Sequence, residues 1–189
     1  MVKPILKALD LLQVPRIIQF VWHLLTRVSR LTQDETDAAG QVLGPKAVRY
    51  AAVRVAEGRV LRLIFKINGR RAFTLFHTIN LPASGGHSRG NLDLLVHEMV
   101  HVYQFETVGS VYIWQALRAQ KTNGYSYGGP DQLAKDRKNG KRFSDYNREQ
   151  QGQIAQDYYN RVLTSAPPEN DPARLAFQPF IDDLQAGIL

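Results

Sequence analysis

His97-Glu98-Met99-Val100-His101 places two imidazoles and a carboxylate in one short run. Residues four apart share a helix face, about one turn from each other. If the run is helical, both imidazoles can reach one cation, and Glu98 stands beside them to take a proton from water. Leu94, Leu95, Val96, Val100 and Val102 surround the motif with apolar bulk, so the helix is expected to be buried. Two histidines and a carboxylate in such a helix cost free energy unless something compensates them. A bound metal would do so. The bland alternative is a pair of core histidines satisfied by nearby acids.

The chain has no cysteine, so a metal would have to be held by His, Asp or Glu. Zinc suits two imidazoles and a carboxylate, with a fourth position left for water. The best place for the third ligand is Tyr146-Asn147-Arg148-Glu149-Gln150-Gln151. Glu149 lies early in an expected later helix, and an antiparallel arrangement would bring its carboxylate to the metal. An acid near a helix N-terminus is also favoured by the helix dipole alone. His87, in a glycine loop before the motif, could fold back as a ligand. His77 falls in an expected strand. Asp93 is better placed to orient an imidazole than to bind the ion, and Asp157 is two turns beyond Glu149.

These residues resemble the zincin metallopeptidases, and within them the glutamate-ligand branch, the gluzincins. The wider stretch includes Leu31-Thr32, Ile79-Asn80-Leu81, Leu95 to Gln104, Tyr125-Ser126-Tyr127 and Asp145 to Gln151. It is similar to a bacterial group labelled Vgr-related and to the peptidase domain found beside contractile injection systems. The likeness covers about residues 30–160. It implies that His97, His101 and Glu149 bind zinc and that Glu98 is the catalytic acid/base. Gluzincins often place an Asp four residues after the ligand Glu to orient a histidine; Gln153 stands there in this chain, so Asp93 or Asp157 would have to substitute.

The chemistry expected is zinc-dependent hydrolysis of peptide bonds, with water activated by zinc and Glu98. A further donor would stabilise the oxyanion. Tyr127 is the candidate, with Tyr125 and Tyr146 beside it; ordinary loop packing is the alternative for the first two. The strand over 71–81 could offer an edge to an extended peptide. Two other readings stay open: a zinc-binding structural or adaptor protein of a secretion or phage-like particle, and an effector toxin aimed at one host protein.

The elements needed to hold these groups follow from the hydrophobic periodicity. Residues 4–13 and a second segment from Pro15 to Leu31 predict amphipathic helices. In the second, Ile17, Phe20, Val21, Leu24, Leu25 and Val28 recur at helical spacing, so that face is expected to pack on the body of the protein. Thr32-Gln33-Asp34-Glu35 is a capping-box pattern opening a helix that ends at Gly44-Pro45. Val48 to Ala56, Arg59 to Ile67 and Arg71 to Leu81 predict a small antiparallel meander, with turns at Glu57-Gly58 and Asn68-Gly69.

Asn91 should cap the motif helix and Gly109 should stop it. Ser110 should cap a helix from Val111 to Gln120. Residues 121–143 read as loop, with turn signals at Asn123-Gly124, Gly128-Gly129-Pro130 and Asn139-Gly140. A polar helix should run from about Asp145 to Leu163. The expected fold class is α+β: a small antiparallel sheet packed on the motif helix and a second ligand-bearing helix. The expected division is 1–31 for the N-terminal helices, 32–164 for the zincin-like domain and 165–189 for a tail or short helix.

The bulk numbers set outer bounds. At 189 residues, with 44% hydrophobic and 22% charged residues, the composition is that of an ordinary globular domain. The formal charge of +7 favours anionic partners. Lys3, Lys7, Arg16, Arg27 and Arg30 against Asp10 make residues 1–31 basic, suited to a secretion-system or acidic partner or to a membrane surface. No dense basic tract is interleaved with aromatics, which argues against nucleic acid. The apolar run from Ile17 to Leu25 is interrupted by Gln19 and His23 and is too short to span a bilayer. No export signal is expected, so the chain reads as cytoplasmic, or exported by another route.

Overall fold

A computed structural model describes residues 2–120 and 124–189. Asn123, of the expected Asn-Gly turn, lies outside them. The fold is α+β. Two helices, α1 (Val2–Leu11) and α2 (Val14–Leu25), lead into strand β1 (Arg27–Arg30) and helix α3 (Gln33–Leu43). Strand β2 (Arg54–Glu57), helix α4 (Leu61–Ile67) and strands β3 (Phe73–Leu75) and β4 (Thr78–Asn80) follow. The rest is helical: α5 (Leu92–Val108), α6 (Val111–Gln120), α7 (Gly129–Lys138), α8 (Arg148–Tyr158) and α9 (Pro172–Gln185).

The motif helix α5 is buried on nearly every side. Leu95, Val96, Met99, Val100 and Val102 have no exposed surface. Helix α8 lies against it, with α3, α6, β3 and β4 covering other faces. A helix apolar all round is a core helix, and the turn at Gly109 (φ 71°) ends it where the sequence indicates. Helix α3 begins with the expected capping box. The Glu35 amide donates to Thr32 Oγ1 at 3.2 Å, and the Thr32 amide donates to Glu35 Oε2 at 2.7 Å. Arg89 clamps the same carboxylate at 2.6 and 2.8 Å and donates to the Arg30 carbonyl. The glycine loop before α5 is thereby tied to α3 and β1.

The sheet is mixed, not an antiparallel meander. Its order is β1-β2-β4-β3, with β2 and β4 parallel and the outer pairs antiparallel. The expected strand over 59–67 is helix α4. Leu61 and Phe65, four apart, are both buried, whereas Leu63 and Ile67 are exposed. A short apolar run fits either period, and the turn decides it. Gly58 and Arg59 both take positive φ (67° and 50°), which starts a helix here. Gly69 (φ 71°) ends α4 by a backbone bond from Arg70 to Phe65 instead of forming a hairpin. The crossover through α4 is what allows β2 and β4 to run parallel. The expected loop 121–143 also contains α7, opened by Pro130 after Gly128 in the left-handed region.

Helix α2 is shorter than expected, because Arg27–Arg30 leaves it to pair with β2. It is also turned over. Its polar side meets the sheet: Trp22 Nε1 donates to Asn80 Oδ1 at 2.7 Å, and His23 Nε2 lies 2.8 Å from Thr78 Oγ1. Ile17, Phe20, Val21 and Leu24 face outward. The reason lies on β4. Thr78 and Asn80 have no exposed surface, and a buried polar side chain needs a partner. The polar side of α2 supplies one for each.

Of the tail or short helix expected over 165–189, residues 172–185 form the helix α9, 14 residues long. Phe177, Phe180, Ile181 and Leu184 of α9 are completely buried in the main core. Asp183 anchors this helix to the turn before α8. It accepts from Arg142 at 2.8 and 2.6 Å, from the Phe143 amide at 3.1 Å and from Arg137 at 3.1 Å. Burial pushes its carboxyl up, but Arg142, the Phe143 amide and Arg137 together hold it below its ordinary 3.8. A depressed acid stabilises the fold above its unfolded pKa and stops doing so as pH falls through the folded one. Asp183→Asn should therefore lower stability at neutral pH by about 2–3 kcal/mol, with the gap to the parent closing below about pH 4. Urea melts at both pH values test this; equal stability at pH 7 would remove the anchor role.

Candidate metal centre

Glu149 enters the site because Asn147 caps α8. Asn147 Oδ1 accepts from the amides of Glu149 and Gln150, and Gln150 Oε1 returns the bond to the Asn147 amide at 3.1 Å. That capping box fixes Glu149 in the first turn, pointing at α5. Its Oε2 lies 3.5 Å from His97 Nε2 and 3.6 Å from His101 Nε2. All three residues are nearly buried, Glu149 at 2% exposure. Among the described residues they are the group of His, Asp and Glu whose ligand atoms converge, all within 4.8 Å of one another.

The three ligand atoms are close enough to hold a cation. At 3.5–3.6 Å the nitrogen–oxygen pairs are too long for N–H···O bonds. A tetrahedral zinc site with bonds of about 2.0–2.1 Å has ligand atoms about 3.3–3.4 Å apart. The ring chemistry fits too. Gln104 donates its amide to Gln151 Oε1 at 2.8 Å and to the Arg148 carbonyl at 3.2 Å, so its own oxygen faces His101 Nδ1 at 2.8 Å as an acceptor. In the neutral ring Nδ1 of His101 then carries the proton, and the Nε2 lone pair is the one that would face the ligand cluster.

Electrostatics follow from the burial. Burial alone lowers the His101 pKa; Glu149 beside it, with Glu98 and Gln104, carries it up to about 9. Burial alone would raise Glu149, but the two imidazoles hold its carboxyl far below the ordinary carboxylate range. Gln120 Nε2 also donates to Glu149 Oε1, at 2.9 Å.

His97 is held differently. Its Nδ1 is buried with no hydrogen-bond partner among the described residues. Neither acid expected to orient it does so: Asp93 accepts from Gln156 at 3.0 Å, and Asp157 accepts from Tyr127 and Gln153. Packing confines the ring instead. A Cβ on Gly152 would stand 2.8 Å from His97 Cε1 and Nε2. The other candidate ligands lie elsewhere. His87 Nδ1 is 2.9 Å from the Arg70 carbonyl, and His77 pairs with Glu106 at 2.7 Å.

Glu98 is clamped from the sheet. Thr74 Oγ1 donates to its Oε2 at 2.7 Å and stands 3.2 Å from its carbonyl oxygen. Cavities of about 340 and 400 Å³ flank it, the first also lined by His101 and Glu149, the second by His97. Both are lined by Arg71, Ala72, Glu98 and Tyr125. Of the three tyrosines considered from sequence, Tyr125 is the one at this cleft. Its ring centroid is 5.7 Å from that of His97. Burial, then the charges of Glu149 and Glu98, push its phenol up to about 12, so it keeps its proton. The Tyr127 hydroxyl is committed to Asp157 at 2.5 Å and that of Tyr146 to Asp136 at 2.7 Å.

Sequence reasoning missed Thr74, Gln104, Gln120 and Gly152. Gln104 was within reach of it, three residues after His101 on the same face, as was Gly152, an isolated glycine inside a polar helix. Thr74 and Gln120 carry no local signal. The tight ring contact yields a direct expectation: Gly152→Ala should displace His97 and weaken zinc binding roughly 10–100-fold, read by competition with a chromogenic chelator. Unchanged affinity would mean that the contact does not set the ring. Comparison with protein-family models, characterised proteins and solved structures finds no match, so the geometry alone carries the functional argument.

Proposed function

We propose that this chain is a zinc-dependent hydrolase of peptide bonds, with His97, His101 and Glu149 as ligands and Glu98 as the base. The observation that carries the reading is the convergence of these ligand atoms, with Glu98 beside them at the junction of two cavities. When bound, zinc would act as a Lewis acid, polarising a carbonyl and making water acidic enough to attack near neutral pH.

The remaining work falls to the chain's own residues. Thr74 holds one oxygen of Glu98, so the other accepts the proton of the attacking water and returns it to the departing amine. Tyr125, still protonated and lining the cleft, is the phenol that would turn from Glu149 to donate to the developing oxyanion, in place of Tyr127. Strand β3 is an outer strand of the sheet and borders the cleft. Tyr112 already donates to the Thr74 carbonyl at 2.9 Å and accepts from the Phe76 amide at 3.3 Å. An extended peptide pairing with this edge would therefore use the part before that carbonyl. A purely structural zinc site has no use for a clamped base beside an open cleft, which weighs against the adaptor reading.

Glu98→Gln should keep close to one zinc per chain, because the ligands are untouched, yet cut turnover of a labelled unfolded protein by roughly 10²–10⁴-fold. Chelation should abolish turnover and added zinc restore it. A variant that cleaves as fast as the parent would dismiss Glu98 as the base. Failure to bind zinc at all would dismiss the enzyme.

A further inference from the structure

The outward face of α2 is the strongest feature that the proposed chemistry leaves unused. Ile17, Phe20, Val21 and Leu24 fall at i, i+3, i+4 and i+7, one continuous stripe, and are 47% to 65% exposed. Leu25 continues it, half exposed. Contiguous apolar surface of this kind marks a place where something docks.

The charges around the stripe say what. Arg16 stands at its start, and exposed Arg27 and Arg30 follow its end. Arg59 donates to the Leu24 carbonyl at 3.0 Å, which sets a further cation at the C-terminal end of α2. Arg62 and Lys66 project from α4, whose buried Leu61 and Phe65 share a small core with Trp22 of α2. Within residues 1–31 the lone acid is Asp10, and it is already engaged by the amide and hydroxyl of Ser110. Glu57 lies across the sheet from Arg27. An apolar stripe rimmed by cations is complementary to an anionic bilayer surface: side chains enter the acyl boundary while guanidinium groups meet phosphate. A second copy of the chain would instead bring cations against cations. The helix is about 18 Å long, far short of the ~30 Å hydrocarbon core, and no described helix is long and apolar enough to cross a membrane.

We propose that α2 lies flat in the interface of an anionic lipid bilayer, with Ile17, Phe20, Val21 and Leu24 inserted and Arg16, Arg27 and Arg59 on the headgroups. This does not depend on the metal site.

The test is co-sedimentation of the full chain with vesicles of phosphatidylcholine alone or with about one-third phosphatidylserine. Binding to the anionic vesicles should be at least about tenfold stronger and should weaken as salt is raised. The double substitution Phe20→Ser/Leu24→Ser should lose about tenfold or more of that binding, with an unchanged circular dichroism spectrum. Arg16→Ser/Arg27→Ser should flatten the salt dependence while keeping the apolar contact, a second measure that does not rely on the first variant folding. The proposal is overturned if anionic vesicles are bound no better than neutral ones. It is also overturned if the serine variant binds like the parent, or if the parent forms a dimer that this variant abolishes.

Discussion

The carboxylate of Glu149 sits almost out of reach of water, between two imidazoles that are also buried. Isolated, a charge in such a place would cost several kcal/mol, and much of the architecture can be read as the means of keeping it there. Asn147 fixes the turn from which it projects, and Gln120 satisfies its second oxygen. Helix α5 presents both histidines from a segment so apolar that it cannot leave the core. Site and core are therefore one object: the packing that buries Val96, Met99 and Val100 is the packing that brings the polar cluster together.

Support for that cluster is drawn from distant parts of the chain. Asp183 on α9 holds Arg142 and the Phe143 amide. The Phe143 carbonyl accepts from Gln151, Gln151 accepts from Gln104, and Gln104 faces His101. The C-terminal helix thus reaches an imidazole through four residues, each bond satisfying a group that would otherwise be buried unpaired. From the opposite side the sheet contributes Thr74. Edge strand β3 sets both the Glu98 carboxylate and the wall of the cleft, so a shift of β3 would move the two together.

Local signals made part of this legible. The spacing of His97 and His101, the Thr32 cap and the Gly109 stop lie within single helices, where sequence separation equals geometry; sequence reasoning missed the Asn147 cap, and the helix expected from Asp145 begins at Arg148. Elements decided by tertiary partners were not legible. Leu61–Ile67 fits two periods equally well, and only the left-handed turn at Gly58-Arg59 separates them. The apolar stripe of α2 would ordinarily face inward; it is reversed because Thr78 and Asn80 on β4 need polar partners, a demand visible only once the strand is in place. The same holds for the tyrosines. Tyr125 and Tyr127 are two residues apart, but one lines the cleft and the other is spent on Asp157.

The two histidines are not equivalent, and the difference bears on how a cation would be held. His101 is oriented by a neutral amide and His97 by close packing against Gly152, so neither imidazole gains basicity from a carboxylate behind it. The charge that balances a metal must then come from the front. Glu149 and Glu98 provide two negative charges on the cleft side, formally equal to one divalent ion. A proton on His101, which Glu149 and Glu98 favour, offsets only one of them. A zinc ion would offset both, and its entry would expel that proton, so affinity at this site is coupled to pH. With weak support behind the imidazoles and carboxylates in front, a cation placed here would be held by electrostatics more than by ligand basicity.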